Sequence, residues 1–439
     1  MKTKKYSIKN ILLFFSLAIG FQSCQNDLDI YSENAISPEQ ITESNIQFFL
    51  NGLYRTSTPI RDDYFYNDIR GGNYTWTALS GNNSKFGVLI TGNGLDDRNA
   101  FSSSYWQYCY KNIYNANNII EAAEKTNNTT IIAEAKYIRA YMYYNLVTIF
   151  GGVPLITTNT TANLPRVSAK EIWDQITNDL DYSISNAKVL SETSNDRVSI
   201  QASKALKARV LLALNQKTEA ANLATEVINE SGLKLDSDYG RIFQATKSSS
   251  EILFAFANLT TESNTRLSQL FWPYGTQWAG SYFVQPSEYV VNELYETNDK
   301  RKEINVKNIT NSDGTYNTII SKYTDVQPII VSRLTEMYFI AAEGYGLGTG
   351  LSYLNDVRTT RNLPTYSAID ISSEDAFLNL VLLERRKELY SEGFLFYDLV
   401  RTNKAINLPN ISQTEQYVLP IPGSQVILSD GMLTQNPGY

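Results

Sequence analysis

Glu384 and Glu388 stand one helical turn apart in the run Glu384-Arg385-Arg386-Lys387-Glu388. Paired carboxylates can hydrolyse a glycosidic bond, but only if one carboxyl is held protonated while the other stays ionised. A helix crowded with arginine keeps both ionised, so this pair reads as ion-paired structure. Arg385 and Arg386 in the same run, with Arg139, Glu343, Asp398 and Arg401 in other helical scaffold segments, take the same reading: charges that hold helices in register. A hydrolase built elsewhere would need an acid–base pair in an aromatic cleft, with Asp62 or Asp63 as one member. The chain has no histidine, which removes Ser-His-Asp and Cys-His nucleophile systems, HExxH zinc sites and imidazole acid–base work. The run Gly344, Gly346, Gly348, Gly350 lacks the phosphate-cradle spacings and follows a helix, so it reads as a helix–helix turn.

Composition points from chemistry to binding. The 439 residues include 30 Tyr, 18 Phe and 5 Trp, an aromatic share of 12%. Such rings offer large, stiff contact area for flat ligands or sugar rings. A net charge of −7 argues against a nucleic-acid surface. Hydrophobic content of 43% and charged content of 19% are those of a folded protein.

The N-terminus points to export. Lys2, Lys4, Lys5 and Lys9 precede the apolar run Ile11–Phe21 and the junction Gln22-Ser23-Cys24, the pattern of a secretion signal. The run is too short to span a bilayer, which needs about 20 residues. Cys24 after that junction resembles a bacterial lipobox, although Phe21-Gln22-Ser23-Cys24 departs from the commoner pattern with Leu three residues before the cysteine. The resemblance implies cleavage of residues 1–23, lipid on Cys24 and a tether over 24–36. The other cysteine, Cys109, sits among Tyr105, Trp106, Tyr108 and Tyr110 and reads as a small buried hydrophobe.

Helices dominate the rest. They are predicted over Ser37–Tyr54, Tyr105–Lys125, Ile131–Phe150 with one apolar stripe, Ser168–Val189 behind a capping box, and Ser373–Glu392. Ile200–Leu233 and Val331–Pro364 each span about 34 residues and read as tetratricopeptide-type helical hairpins. Residues 61–103 and 236–328 lack helical periodicity and read as long functional loops, the second with a strand over Glu251–Ala257.

Several blocks resemble the SusD/RagB family of nutrient-uptake lipoproteins: Ala133–Ile156 (AEAKYIRAYMYYNLVTIFGGVPLI), Arg333–Tyr345 with Leu354–Pro364, Glu384–Arg401 (ERRKELYSEGFLFYDLVR), and the terminal LPIP and QNPGY. Trp106–Ile120 and Pro286–Arg301 match weaker family segments. The resemblance covers nearly the whole mature chain. It implies a mainly α, SusD-like fold over 37–439, a single domain with a superhelical scaffold of hairpins at about 131–233 and 331–401, long loops and a few short strands. It also implies a surface-exposed outer-membrane lipoprotein that closes over a SusC-like TonB-dependent transporter and binds an oligomeric nutrient, a glycan or in some members a peptide. No catalysis, cofactor or metal is implied.

Sugar rings present apolar C–H faces and hydroxyl edges, so a receptor needs exposed aromatic planes beside amide or charged side chains. Two loop regions supply them: Tyr64, Tyr66, Asn73, Tyr74 and Trp76 in the first, Trp272, Tyr274, Trp278 and Tyr282 in the second. These nine are the candidate ligand residues.

Overall fold

The computed structural model describes residues 40–77, 84–244, 249–259, 265–278, 280–311, 314–324 and 326–439. The signal segment, Cys24 and the tether lie outside them. Helix α1 (Ile46–Thr56) is followed by two short helices, α2 (Arg61–Tyr64) and α3 (Tyr66–Arg70), strand β1 (Tyr74–Trp76) and α4 (Ser84–Thr91). The scaffold proper begins with α5 (Ala100–Lys125), α6 (Thr129–Phe150), α7 (Ala169–Asn186), α8 (Ile200–Ala213) and α9 (Lys217–Glu230), each packed against the next in sequence. Local chemistry sets their ends. The Asn99 side chain accepts the amides of Phe101 and Ser102, Asn128 accepts that of Ile131, and Ser168 with Glu171 closes a reciprocal capping box. Helix α6 stops at Gly151, whose φ of 75° is open to glycine at little cost.

Helix α6 is buried on nearly every side rather than along one stripe, with Tyr137, Tyr141, Tyr143 and Tyr144 all inside. A helix apolar all round belongs at the centre of a fold. The C-terminal segment latches onto its exit: the amide of Leu419 donates to Ile149 O at 2.7 Å, and Asn436 Nδ2 donates to Phe150 O at 3.0 Å.

Strand β2 (Ile252–Phe256), β3 (Val284–Pro286), the short helices α10 (Glu288–Asn292) and α11 (Arg301–Asn305), β4 (Val306–Thr310) and β5 (Tyr316–Ile320) occupy the second low-periodicity region, and β6 (Ile329–Arg333) follows it. Three antiparallel pairs result: β1 with β3, β2 with β6, and β4 with β5. Helix α12 (Leu334–Thr360) bends back at Gly346, where φ is 69° and ψ −171°, making the expected hairpin. Gly344 supplies the close approach to α9: a Cβ there would meet Lys217 O and Ala221 Cβ. Helices α13 (Glu374–Glu388), α14 (Leu395–Arg401) and α15 (Gly423–Leu428) complete the chain.

Two expectations need correction. Of the helix expected over Ser37–Tyr54, residues 37–39 lie outside the described residues and 40–45 are not α-helical: Thr42 N donates to Asn45 Oδ1 and Asn45 Nδ2 to Gln40 O, a turn that delays helix entry until Ile46. Residues 61–103 are not one long loop; helices of four to eight residues and the first turns of α5 fill much of them, and elements that short show no period.

The hallmark charges are structural. Arg139 forks onto Asp179 at 2.7 and 2.8 Å, and Arg401 onto Glu343 at 2.7 and 2.9 Å. Glu384 and Glu388 are fully buried, ion-paired with Arg301, Arg333, Arg358, Arg361 and Lys387. Burial works to raise the Glu388 carboxyl, but Arg361 and Arg333 outweigh it and hold it well below the ordinary carboxylate value. Glu384 is likewise held low against burial by Arg301 and Lys387. Two ionised, sealed carboxylates cannot act as an acid–base pair on a substrate. Cys109 is wholly buried, and burial pushes its thiol up.

Candidate functional site

The two loop regions singled out in the sequence meet through a three-residue ladder. Thr75 pairs with Gln285 and Trp76 with Val284 in the β1–β3 sheet, and the amide of Thr77 continues it to Phe283 O at 3.2 Å. Residues some 200 positions apart thereby share one edge. The β4–β5 hairpin stands beside it, tied by the Tyr282 hydroxyl to Thr318 O at 3.1 Å.

Four of the nine candidates keep their rings accessible on the two segments that the ladder joins. Trp76 is 46% exposed and Tyr274 92% exposed, while Trp272 and Trp278 are half-buried. The Trp76 indole lies against α4 at Gly87, where a Cβ would fall 2.9 Å from Cζ3. Trp272 is oriented by its indole N–H, which donates to Tyr323 O at 2.8 Å. An anchored but open indole suits stacking, because little conformational entropy remains to be lost on binding.

The side chains of the other five are buried in the fold rather than displayed on its surface. Tyr64 is 8% exposed and donates to Ile330 O. Tyr66 stacks on Phe101 with centroids 5.0 Å apart and meets Phe396 edge-on. Tyr74 donates to Ser391 Oγ at 2.8 Å and packs on Phe65 and Phe271. Tyr282 is 3% exposed, its ring turned inward from a backbone with φ of 45°. Asn73 is fully buried: it donates to Asp68 Oδ1 at 2.7 Å and accepts from Arg386 Nε at 2.9 Å. Asp62 and Asp63 are buried as well. An exposed ring the sequence reading passed over is Tyr316, 77% exposed at the tip of the β4–β5 hairpin; the alternation of a strand edge is its only sequence signal.

The Asn73 bridge explains why β1 sits where it does. Asp68 also accepts the amides of Ser391 at 3.0 Å and Gly393 at 2.7 Å, joining the turn after α13 to the turn before β1. Burial raises the Asp68 carboxyl to about 6, against the lowering effect of those hydrogen bonds.

Comparison with known proteins gives this geometry a family. Residues 27–212 match a family model described as starch-binding, associating with the outer membrane, and residues 221–414 match the model of the SusD family. The chain belongs to the SusD/RagB family. Among SusD-like relatives, proteins P38 and P2 of Formosa agariphila are 26% and 25% identical to it. The first alignment covers 91% of this chain and 93% of the relative, the second 99% and 100%. Among solved structures, a laminarin-binding SusD-like protein superposes with a TM-score of 0.79 at 22% identity, covering 91% of this chain and all of that one. Surface glycan-binding protein A from Bacteroides thetaiotaomicron, solved with laminarihexaose, also gives 0.79, at 20% identity over 90% of this chain and all of that one. The mainly α SusD-like fold follows. No helix among the described residues is long and apolar enough to cross a membrane.

Proposed function

We propose that this SusD-like protein is a cell-surface lipoprotein that captures an oligosaccharide and passes it to a SusC-like TonB-dependent transporter barrel. One observation carries the reading: the accessible rings of Trp76, Trp272, Tyr274 and Trp278 occur on two segments that the β1–β3 ladder unites. Accessible aromatic planes, with the amides of Gln277 and Gln285 on the same chain segment as three of them, match the apolar faces and hydroxyl edges of a sugar chain. The glycan-binding neighbours support the ligand class, and the outer-membrane association of the matched family supports the location. Lipid on Cys24 would moor the molecule beside its transporter, where a high effective concentration makes modest affinity sufficient.

The test is calorimetry with a panel of defined oligosaccharides, β-glucan fragments among them, followed by product analysis. Binding without cleavage that weakens in Trp76→Ala and Trp272→Ala is the expected result. Unchanged affinity in both variants would remove this surface from the reading, and release of shorter sugars would replace binding by hydrolysis.

A further inference from the structure

Arg386 differs from the other hallmark arginines. Arg139, Arg385 and Arg401 each fork onto a carboxylate, whereas among the described residues no carboxylate lies within ion-pair distance of Arg386. Its Nε donates to Asn73 Oδ1 at 2.9 Å and its Nη2 to Gly72 O at 3.2 Å. Nη1 has no hydrogen-bond partner among the described residues. The guanidinium lies 4.6 Å over the Tyr289 ring, and burial pushes its pKa below the ordinary arginine value. Arg386 is only partly exposed and has no counter-ion of its own among the described residues, so an anion beside it gains a charge partner.

The space for one is present. A cavity of about 140 Å³ is lined by Arg385, Arg386, Lys404, Asn379 and Tyr289, with leucines such as Leu383 completing the wall. Arg385 is 3% exposed at its side chain, and its Nη1 is buried without a partner. Asp398 also lines the cavity, but its two oxygens are taken by Arg385 and Arg401. Lys404 has Asp375 at 3.4 Å, a carboxylate 73% exposed at its side chain and therefore well screened. Asp68 acts on Arg386 only across the Asn73 amide. The balance of charge around this space is positive.

We propose that the cavity beside Arg386 and Lys404 binds a small oxyanion, a carboxylate or sulfate group. A planar guanidinium donor with a flexible ammonium nearby is the recurring arrangement for such groups. The site opens at the Asn73 end of β1, about 10 Å from Trp76 at 3.3 Å per strand residue. Either a free anion or an acidic substituent on a sugar can supply the group, and the assignment stands independently of the aromatic surface.

Calorimetry on the full chain tests it with sodium sulfate, acetate and glucuronate, glucose serving as the uncharged control and ionic strength held by sodium chloride. One-to-one binding of an oxyanion is expected, weakened about tenfold in Lys404→Glu and strengthened in Asn379→Lys, since charge at the mouth of a partly desolvated site acts strongly. Both substitutions lie at partly exposed positions and should leave the melting temperature without anion unchanged. Arg386→Gln should abolish binding; the two mouth variants keep the test valid if that variant folds poorly. Binding of glucuronate but not glucose identifies a sugar-borne source, binding of sulfate or acetate alone a free one, and either upholds the site. No binding by any oxyanion, or equal affinity in wild type and Lys404→Glu, overturns it.

Discussion

Asn73 accepts the Nε–H of Arg386 at 2.9 Å and so ties the start of β1 to the scaffold helix α13. With its amide nitrogen donating to Asp68, this one side chain couples a buried acid to a partly exposed arginine. Asn73→Ala is expected to destabilise the protein by about 2 kcal/mol, because buried Asp68 and the Arg386 guanidinium both lose a hydrogen bond. Thermal unfolding checks the stability. Loss of oligosaccharide affinity should accompany it if β1 carries Trp76 into place, whereas a merely local defect would leave affinity intact.

Gly87 provides the floor for Trp76. Gly87→Ala forces the indole off its seat and is expected to weaken oligosaccharide binding. Trp76→Ala should cost about 1 kcal/mol of binding, roughly fivefold, as the loss of one stacked ring. Since Trp76 is nearly half exposed, its removal should shift the melting temperature little. Calorimetry of ligand binding beside a thermal melt separates the two effects.

Asp68 predicts a pH dependence with an unusual sign. Its carboxyl titrates near 6 in the folded protein against 3.8 without burial, so the native state holds the extra proton. Stability from this group is full below pH 4 and falls as pH rises through 6, by roughly 3 kcal/mol at most. Glu384, Glu388 and Asp398 act oppositely: their carboxyls are held low, so the stability they give is present above their unfolded values and lost as pH falls through the folded ones. In melts between pH 4 and 7, the advantage of wild type over Asp68→Asn should shrink as pH rises. A constant difference would refute the assignment.

Glu388→Gln should be severe. It leaves Arg301, Arg333 and Arg361 with reduced compensation in a sealed interior, a loss expected at about 3–5 kcal/mol. Denaturant unfolding measures it. Oligosaccharide affinity of the surviving folded fraction should be unaffected, because Glu388 pairs with Arg301, Arg333 and Arg361 and touches none of the accessible rings.

Gly346→Ala is expected to cost about 1–2 kcal/mol, since an alanine there would hold φ of 69° and press its Cβ against the Glu374 carboxylate. The hairpin of α12 should loosen, seen as faster amide exchange across residues 342–350.

The sequence alone determined the scaffold. Apolar residues every three or four positions, the Ser168–Glu171 box and the Gly151-Gly152-Val153-Pro154 stop are local signals, and local energetics decides them before any distant contact forms. The arginine-rich setting of Glu384 and Glu388 was equally legible, because charges one turn apart meet on any helix. Only the tertiary structure decided which rings face solvent. Tyr64, Tyr66, Tyr74 and Tyr282 share their residue types and their neighbours' polarity with Trp76 and Tyr274. What separates them is whether another element lies across them, α5 and α14 for Tyr66, β6 for Tyr64, the turn at Ser391 for Tyr74 and β5 for Tyr282, so a ring's exposure is fixed by chain from 35 to more than 300 residues away. Asn73 makes the same point for a polar group: its partners Asp68 and Arg386 are five and 313 positions distant, and the cost of burying an unmet amide selects the fold that brings the second one back.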